Sequence, residues 1–163
     1  MKVKTVLISF CLGLLFWIGL NSSVRKEILI TGVLLAILGT AFLVKTDLFG
    51  TMKFSPKAIA AMFTWLFVFL FELIKSNIDV MSRVITPKVR INPAVVEVKT
   101  KLKSKLGRLA LANSITLTPG TLTVDIMEDK LYIHWIDASS TDVEKATEKI
   151  VDKFEKHLEV IFG

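Results

Sequence analysis

The stretch TLTVDIMEDKLYIHWI, residues 121–136, decides the fold of the C-terminal half of this 163-residue chain. In its first seven residues Leu122, Val124 and Ile126 alternate with Thr121, Thr123, Asp125 and Met127. Leu131, Ile133 and Trp135 then alternate with Tyr132, His134 and Ile136. Period-two patterning marks a strand with one buried face, and Glu128-Asp129-Lys130 supplies a turn between the two runs. An antiparallel hairpin is expected.

Working outward, Ala94-Val95-Val96-Glu97-Val98 has the β-branched content of another strand. Leu102, Leu106, Leu109 and Asn113 follow at spacings of four, three and four, among Lys101, Lys103, Lys105 and Arg108, which predicts an amphipathic helix. After the hairpin, Thr141-Asp142-Val143-Glu144 reads as a capping box that opens a last helix, with Thr141 as its cap. Val143, Ile150, Phe154, Leu158 and Ile161 give that helix its buried stripe. The order strand, helix, strand, strand, helix predicts a small α+β domain over residues 94–163, with both helices on one face of an antiparallel sheet. Its expected topology is ferredoxin-like βαββα, lacking the last strand.

The N-terminal half reads differently. No charge occurs from Thr5 to Val24 or from Ile28 to Val44, and Ala58 to Ile74 holds only Glu72. Each run approaches the length that crosses the hydrocarbon core as a helix, so three transmembrane helices are expected at about 5–24, 28–44 and 56–82. Asn21-Ser22-Ser23 is a poor cleavage site with Arg25 and Lys26 directly after it, so the first run is read as a span and not as a signal peptide. Ser55-Pro56 places an N-cap hydroxyl before a proline at the first helical position. Ile74, Ile78, Met81 and Ile85 continue an apolar stripe beside a Lys75, Asp79, Arg83 ladder, which predicts one long helix that crosses and then protrudes. Thr86-Pro87 and Asn92-Pro93 mark a linker over 83–93, which separates the membrane part, 1–82, from the α+β domain.

With 52% hydrophobic residues and a mean hydropathy of +0.58, the chain is too apolar for a soluble domain. The net charge of +6 is uneven. Residues 1–75 hold eight Lys/Arg against three acids, all eight flanking apolar runs, and 76–108 holds eight against two. This is charge at a membrane border, where basic side chains attract anionic headgroups. Nucleic-acid binding would need interleaved aromatics or a groove-reading motif, and neither is present. The single cysteine, Cys11, lies in the first apolar run, where it acts as a small hydrophobe. Trp17, near the end of that run, fits an interfacial belt.

No residue pattern calls for a catalytic group, a metal or a cofactor. Ion translocation needs ionisable groups near mid-bilayer. Glu72 is the sole acid in the apolar runs, and it sits three residues before Lys75, where both read as membrane-border charges. His134 reads as a strand histidine with its tip hydrogen-bonded or solvated, and the aromatics of the third run fall on all sides of a helix, as lipid-facing or helix-packing surface. The unusual stretch is Asn113-Ser114-Ile115-Thr116-Leu117-Thr118-Pro119-Gly120-Thr121-Leu122-Thr123-Val124. Thr118-Pro119-Gly120-Thr121 suits a type II turn, with glycine at the position of positive φ. If the turn closes a hairpin, Thr118 faces Thr121 and Thr116 faces Thr123; an ordered loop is the alternative. Asn113, Ser114, Thr116, Thr118, Pro119, Gly120 and Thr121 form either a hydroxyl-satisfied turn or a surface that docks a partner.

Residues 112–121, followed by Leu131-Tyr132-Ile133-His134-Trp135-Ile136, resemble the signature of the E subunit of Mrp/Mnh-type multisubunit cation/proton antiporters. The resemblance covers about residues 110–137. It implies a membrane complex that exchanges Na+ for H+, with ions handled by other, larger subunits and this chain as an accessory part needed for assembly or full activity. The partners so implied are those subunits and membrane lipids. A membrane-tethered sensor or ligand-binding domain is the alternative, and a membrane enzyme is the weakest reading. Residues 99–108 favour a cytoplasmic α+β domain on a multi-pass chain in the cell membrane, with Lys2, Lys4, Lys45, Lys53 and Lys57 outside against Arg25, Lys26, Lys75, Arg83, Lys88 and Arg90 inside.

Overall fold

The computed structural model describes residues 3–46, 52–53, 55–86 and 91–163. Lys2, Pro87, Lys88, Arg90 and the side chains of Lys4 and Lys45 lie outside the described residues. The chain divides into two compact units, Met1–Thr51 and Met52–Gly163.

The first unit is a pair of apolar helices, α1 (Val3–Asn21) and α2 (Lys26–Thr46), joined by a short turn with Ser22 at φ 46°. The helices approach closely where glycines remove side-chain bulk. A Cβ on Gly32 would come within 2.6 Å of Trp17 Cδ1, and one on Gly13 within 3.7 Å of Ala36 Cβ. Trp17 also donates its Nε1–H to the Ile28 carbonyl at 3.0 Å, so the indole that suggested an interfacial belt ties one helix to the other. By length and apolar content, α2 and the later helix Pro56–Ile85 are long enough to cross a membrane, and Val6–Asn21 forms a shorter apolar helix.

In the second unit α3 (Pro56–Ile85) precedes β1 (Ala94–Lys99), α4 (Lys105–Leu117), β2 (Thr121–Met127), β3 (Lys130–Trp135), α5 (Val143–Ile150) and α6 (Asp152–Phe162). Ser55 caps α3 as its sequence indicates, its hydroxyl accepting the Ala58 N–H at 3.1 Å. The sheet is antiparallel with order β1-β3-β2. β3 therefore lies between two strands that run parallel to each other. Val96 and Val98 of β1 pair with Ile133 and Leu131 of β3, and these four side chains are fully buried under α4, α5 and α6. Leu111, Ile115, Phe154 and Leu158 complete the centre of this core.

Several expectations need correction. The helix read from Leu102, Leu106, Leu109 and Asn113 starts later, because the Ser104 hydroxyl caps it by accepting the Gly107 N–H at 3.0 Å. Its buried face is then Gly107, Leu111, Ser114 and Ile115, with Leu109 and Asn113 exposed. No hairpin closes at Pro119: α4 runs to Leu117 and the turn leads from helix to strand. In β2 the register shifts between Thr123 and Asp125, so Leu122 stays exposed on the outer face while Ile126 pairs with the inward Leu131. The last helix breaks at Val151, and Asp142, not Thr141, is its N-cap, accepting the Lys145 N–H at 3.0 Å. Asn92 is not in a free linker, since its N–H reaches the Ile136 carbonyl and its own carbonyl accepts from Ala138.

The largest departure concerns α3. The boundary expected at 83–93 falls inside the second unit, which begins at Met52. Instead of protruding, α3 lies along α6. Ala61, Trp65, Val68 and Phe69 pack on the core, and the Trp65 indole stacks near Phe69 while donating to Ser114 Oγ at 3.2 Å.

Candidate partner-docking cleft

The threonine-rich segment is a device for ending a helix. The last carbonyls of α4 have no intrahelical donors, and threonine hydroxyls supply them. Thr118 and Thr121 both donate to the Ile115 carbonyl at 2.7 Å, and Thr123 reaches further back along the helix, to the carbonyl of Ala112 at 3.2 Å. Thr116 Oγ1 accepts the Thr123 N–H at 3.0 Å, and the hydroxyls of Thr118 and Thr121 lie 3.3 Å apart. The two threonine pairings anticipated for a hairpin thus form across a helix end. Gly120 sits at φ +94°, and the Thr121 N–H reaches back to the Thr118 carbonyl at 3.4 Å, as a type II turn requires. The Gly120 carbonyl accepts from Ile136 at 2.9 Å, which fastens the turn to the end of β3.

This turn forms one wall of a cleft of about 560 Å³, with α3 and the N-terminal turn of α6 opposite. Thr118, Pro119, Gly120 and Thr121 line it together with Glu72 and Lys75. Six residues singled out from the sequence therefore share one site. Asn113, Ser114 and Thr116 do not line it: Ser114 is buried beneath Trp65, and Asn113 and Thr116 are exposed elsewhere on α4.

The cleft is charged in a way that sequence inspection missed. Lys153 of α6 donates to Glu72 at 2.7 Å, and Lys75 stands 3.7 Å from the other carboxylate oxygen. Arg83 bridges Asp79 at 2.9 Å and Asp137 at 2.7 Å. Lys149 donates to Ser139 at 3.0 Å and lies 5.2 Å from the centre of the Trp135 ring, a cation–π distance. Four cations thus face three carboxylates. The Lys75, Asp79, Arg83 ladder was visible as a helix face, but Asp137, Lys149 and Lys153 come from 54 to 81 residues away from their α3 partners or join through the fold alone. Ile78, Ile115, Ile136, Ile150 and Phe154 line the same cleft between these ion pairs.

Outside the cleft, the exposed sheet face carries Glu97, which accepts from Lys130 at 2.8 Å and Tyr132 at 3.2 Å. Those hydrogen bonds hold its carboxyl below the usual carboxylate range against partial desolvation. His134 is exposed on the same face, the solvated of the two states read for it.

Residues 10–161 match the family described as Na+/H+ ion antiporter subunit (MNHE). Over 158 residues the chain is 35% identical to the E subunit of the Na(+)/H(+) antiporter of Bacillus subtilis, covering 96% of this chain and 94% of that one. It is likewise 35% identical over 142 residues to the corresponding E subunit of Alkalihalophilus pseudofirmus, covering 86% and 87%. Among solved structures, a chain of the membrane-bound sulfane sulfur reductase, an archaeal respiratory membrane complex, aligns with a TM-score of 0.82 at 40% identity, over 98% of this chain and all of that one. With matches that run through both units and the threonine-rich turn, the chain belongs to the Na+/H+ ion antiporter subunit family, in the company of its E subunits.

Proposed function

We propose that this chain is an accessory, non-translocating subunit of a multisubunit Na+/H+ antiporter, held in the cell membrane by a multi-pass apolar region and needed for assembly or full activity. One observation carries the reading. Across described residues 6–24 and 28–43 there is no Asp, Glu, Lys, Arg or His, and Glu72, the sole acid within the apolar runs, is engaged by Lys153 and Lys75. A proton or cation path needs ionisable groups that can change state at depth. Transport therefore falls to other subunits, and this chain performs no catalysis.

The second unit is read as a cytoplasmic, ferredoxin-like half-fold lacking its last strand, a reading supported by the order β1-β3-β2 and by helices on one face. The cleft beside Pro119 and Gly120 docks a neighbouring subunit, with Glu72 and Lys75 on its rim. The likeness to a chain of a respiratory complex favours a second reading, in which the host assembly is driven by redox chemistry. Purifying the tagged chain from native membranes in mild detergent separates the two. Several large apolar subunits and Na+/H+ exchange after reconstitution support the antiporter; co-purified iron–sulfur absorbance points to the respiratory assembly. Recovery of the chain alone with a small molecule would sink both in favour of a sensor.

A further inference from the structure

We infer that α3 does not cross the bilayer but lies in its surface, with one apolar face in the lipid and the other covered by the α+β unit. The inference rests on the chain being a membrane subunit, and it replaces the third crossing expected at 56–82. The 30 residues of α3 make a rod of about 45 Å. The rest of the second unit holds this rod from just before its start to its last turn. Lys53 N–H donates to Ile161 at 2.8 Å, Trp65 to Ser114 at 3.2 Å, Lys153 pairs with Glu72 at 2.7 Å, and Arg83 with Asp137 at 2.7 Å. The hydrocarbon core is only about 30 Å thick. A crossing α3 would carry Asp152, Lys156 and Glu159, all exposed on the helix packed beside it, and the edges of a sheet into hydrocarbon. Lipid tolerates neither unpaired backbone edges nor such charges.

The opposite face of α3 is built for a lipid surface. Ile59, Phe63, Phe67, Phe71, Ile74 and Ile78 recur at spacings of four, four, four, three and four, and each is about half exposed or more. The charged residues of α3, at 57, 72, 75, 79 and 83, all fall off this stripe at 100° per residue, with Lys57 and Lys75 along one border. A helix with one apolar stripe and charged flanks binds in the interface plane.

Two sequence facts tie the stripe to a membrane and not to another protein. Residues 47–55 alone separate α2 from α3, so the start of α3 is tethered within about 30 Å of chain from the end of α2. Charge placement agrees. With α1 and α2 as the crossings, Lys2, Lys4, Lys45, Lys53 and Lys57 fall on the side of the α+β unit, and Arg25 and Lys26 alone on the other. With Lys75, Arg83, Lys88 and Arg90 also on that side, nine against two is a clear positive-inside bias, where three crossings give six against five for the same residues.

The test uses the complete complex in phosphatidylethanolamine/phosphatidylglycerol vesicles, with Cys11→Ala as background. Nitroxides at Ile59→Cys, Phe67→Cys, Ile74→Cys and Ile85→Cys replace exposed side chains, so the fold is retained. Their collision rates with oxygen and with a water-soluble nickel chelate report depth. An in-plane α3 places all four in one shallow band, about 5–10 Å into the headgroup boundary. A depth profile that peaks near Phe67, with Ile59 and Ile85 at opposite surfaces, would overturn the inference. Exclusion of both reagents from the stripe would overturn it too, by showing that another subunit covers it, while co-purification of subunits would leave the functional reading intact.

Discussion

Lys153 Nζ donates to Glu72 Oε2 at 2.7 Å, which joins α6 to α3 across 81 residues of chain and neutralises the sole acid within the apolar runs. Both side chains are half-buried or better, at 32% and 17% exposure, so the pair is only partly screened by solvent. A pair of this kind stabilises by about 1 kcal/mol. A double-mutant cycle on Glu72→Gln and Lys153→Gln, read by thermal melting of the detergent-solubilised chain, is expected to show a coupling of about that size. Additive losses would mean that apolar packing alone holds α3 to α6.

The turn at Gly120 acts through shape. Its φ of +94° is costly for a β-branched residue, and a Cβ would stand 3.2 Å from Ile136 Cγ2. Gly120→Val is expected to cost about 1–3 kcal/mol and to strip co-purifying subunits from the complex. Thr123→Ser keeps the hydroxyl that donates to the Ala112 carbonyl and should retain them. Retention of every subunit with exchange lost in the valine variant would instead give the turn a direct part in transport.

Membrane sidedness follows from α3 lying in the surface. Ser23→Cys, in the turn between α1 and α2, should react with an impermeant maleimide added to intact cells, and Ser139→Cys should not. Three crossings with a cytoplasmic α+β unit would protect both. Labelling of Ser139→Cys from outside would contradict the cytoplasmic placement itself.

His157 gives the second unit an acid-sensitive point. Burial lowers its pKa, the neighbouring Lys156 lowers it further, and its buried Nε2 has no hydrogen-bond partner among the described residues. The unfolded chain therefore takes up this proton first. Stability is full above the ordinary histidine value of about 6.5 and falls as pH drops from there toward the folded-state pKa. His157→Phe should flatten the loss of melting temperature between about pH 8 and pH 5.5, the range that brackets that value. An unchanged slope would assign that loss to other groups.

What was legible in the sequence was local. Ser55-Pro56 announces the start of α3 because a cap depends on adjacent residues, and Leu131, Ile133 and Trp135 announce β3 because a central strand has one buried face. The turn at Thr118-Pro119-Gly120-Thr121 was legible too, since only glycine suits its φ. Long-range choices were not. Trp65, Val68 and Phe69 could face lipid or protein equally well, so hydrophobicity alone could not show that α3 belongs to the α+β unit. The extra residue in β2 carries Ile126 to the other face, which no alternating pattern reveals. Within the cleft, Glu72 and Lys75 were recognisable as border charges, but Lys153 reaches them only through the packing of α6 on α3.

The central claim is that this chain supports exchange without carrying ions. Its most direct test is Na+-driven proton movement in everted vesicles from cells that lack the chain and are complemented with Glu72→Lys/Lys153→Glu. The exchanged pair keeps the tie between α3 and α6 but removes the carboxylate from its place on α3. Exchange near the wild-type rate is predicted, with Glu72→Lys alone impaired through loss of assembled complex. Abolished exchange in the double variant, with all subunits still assembled, would make Glu72 part of the ion path and contradict the claim.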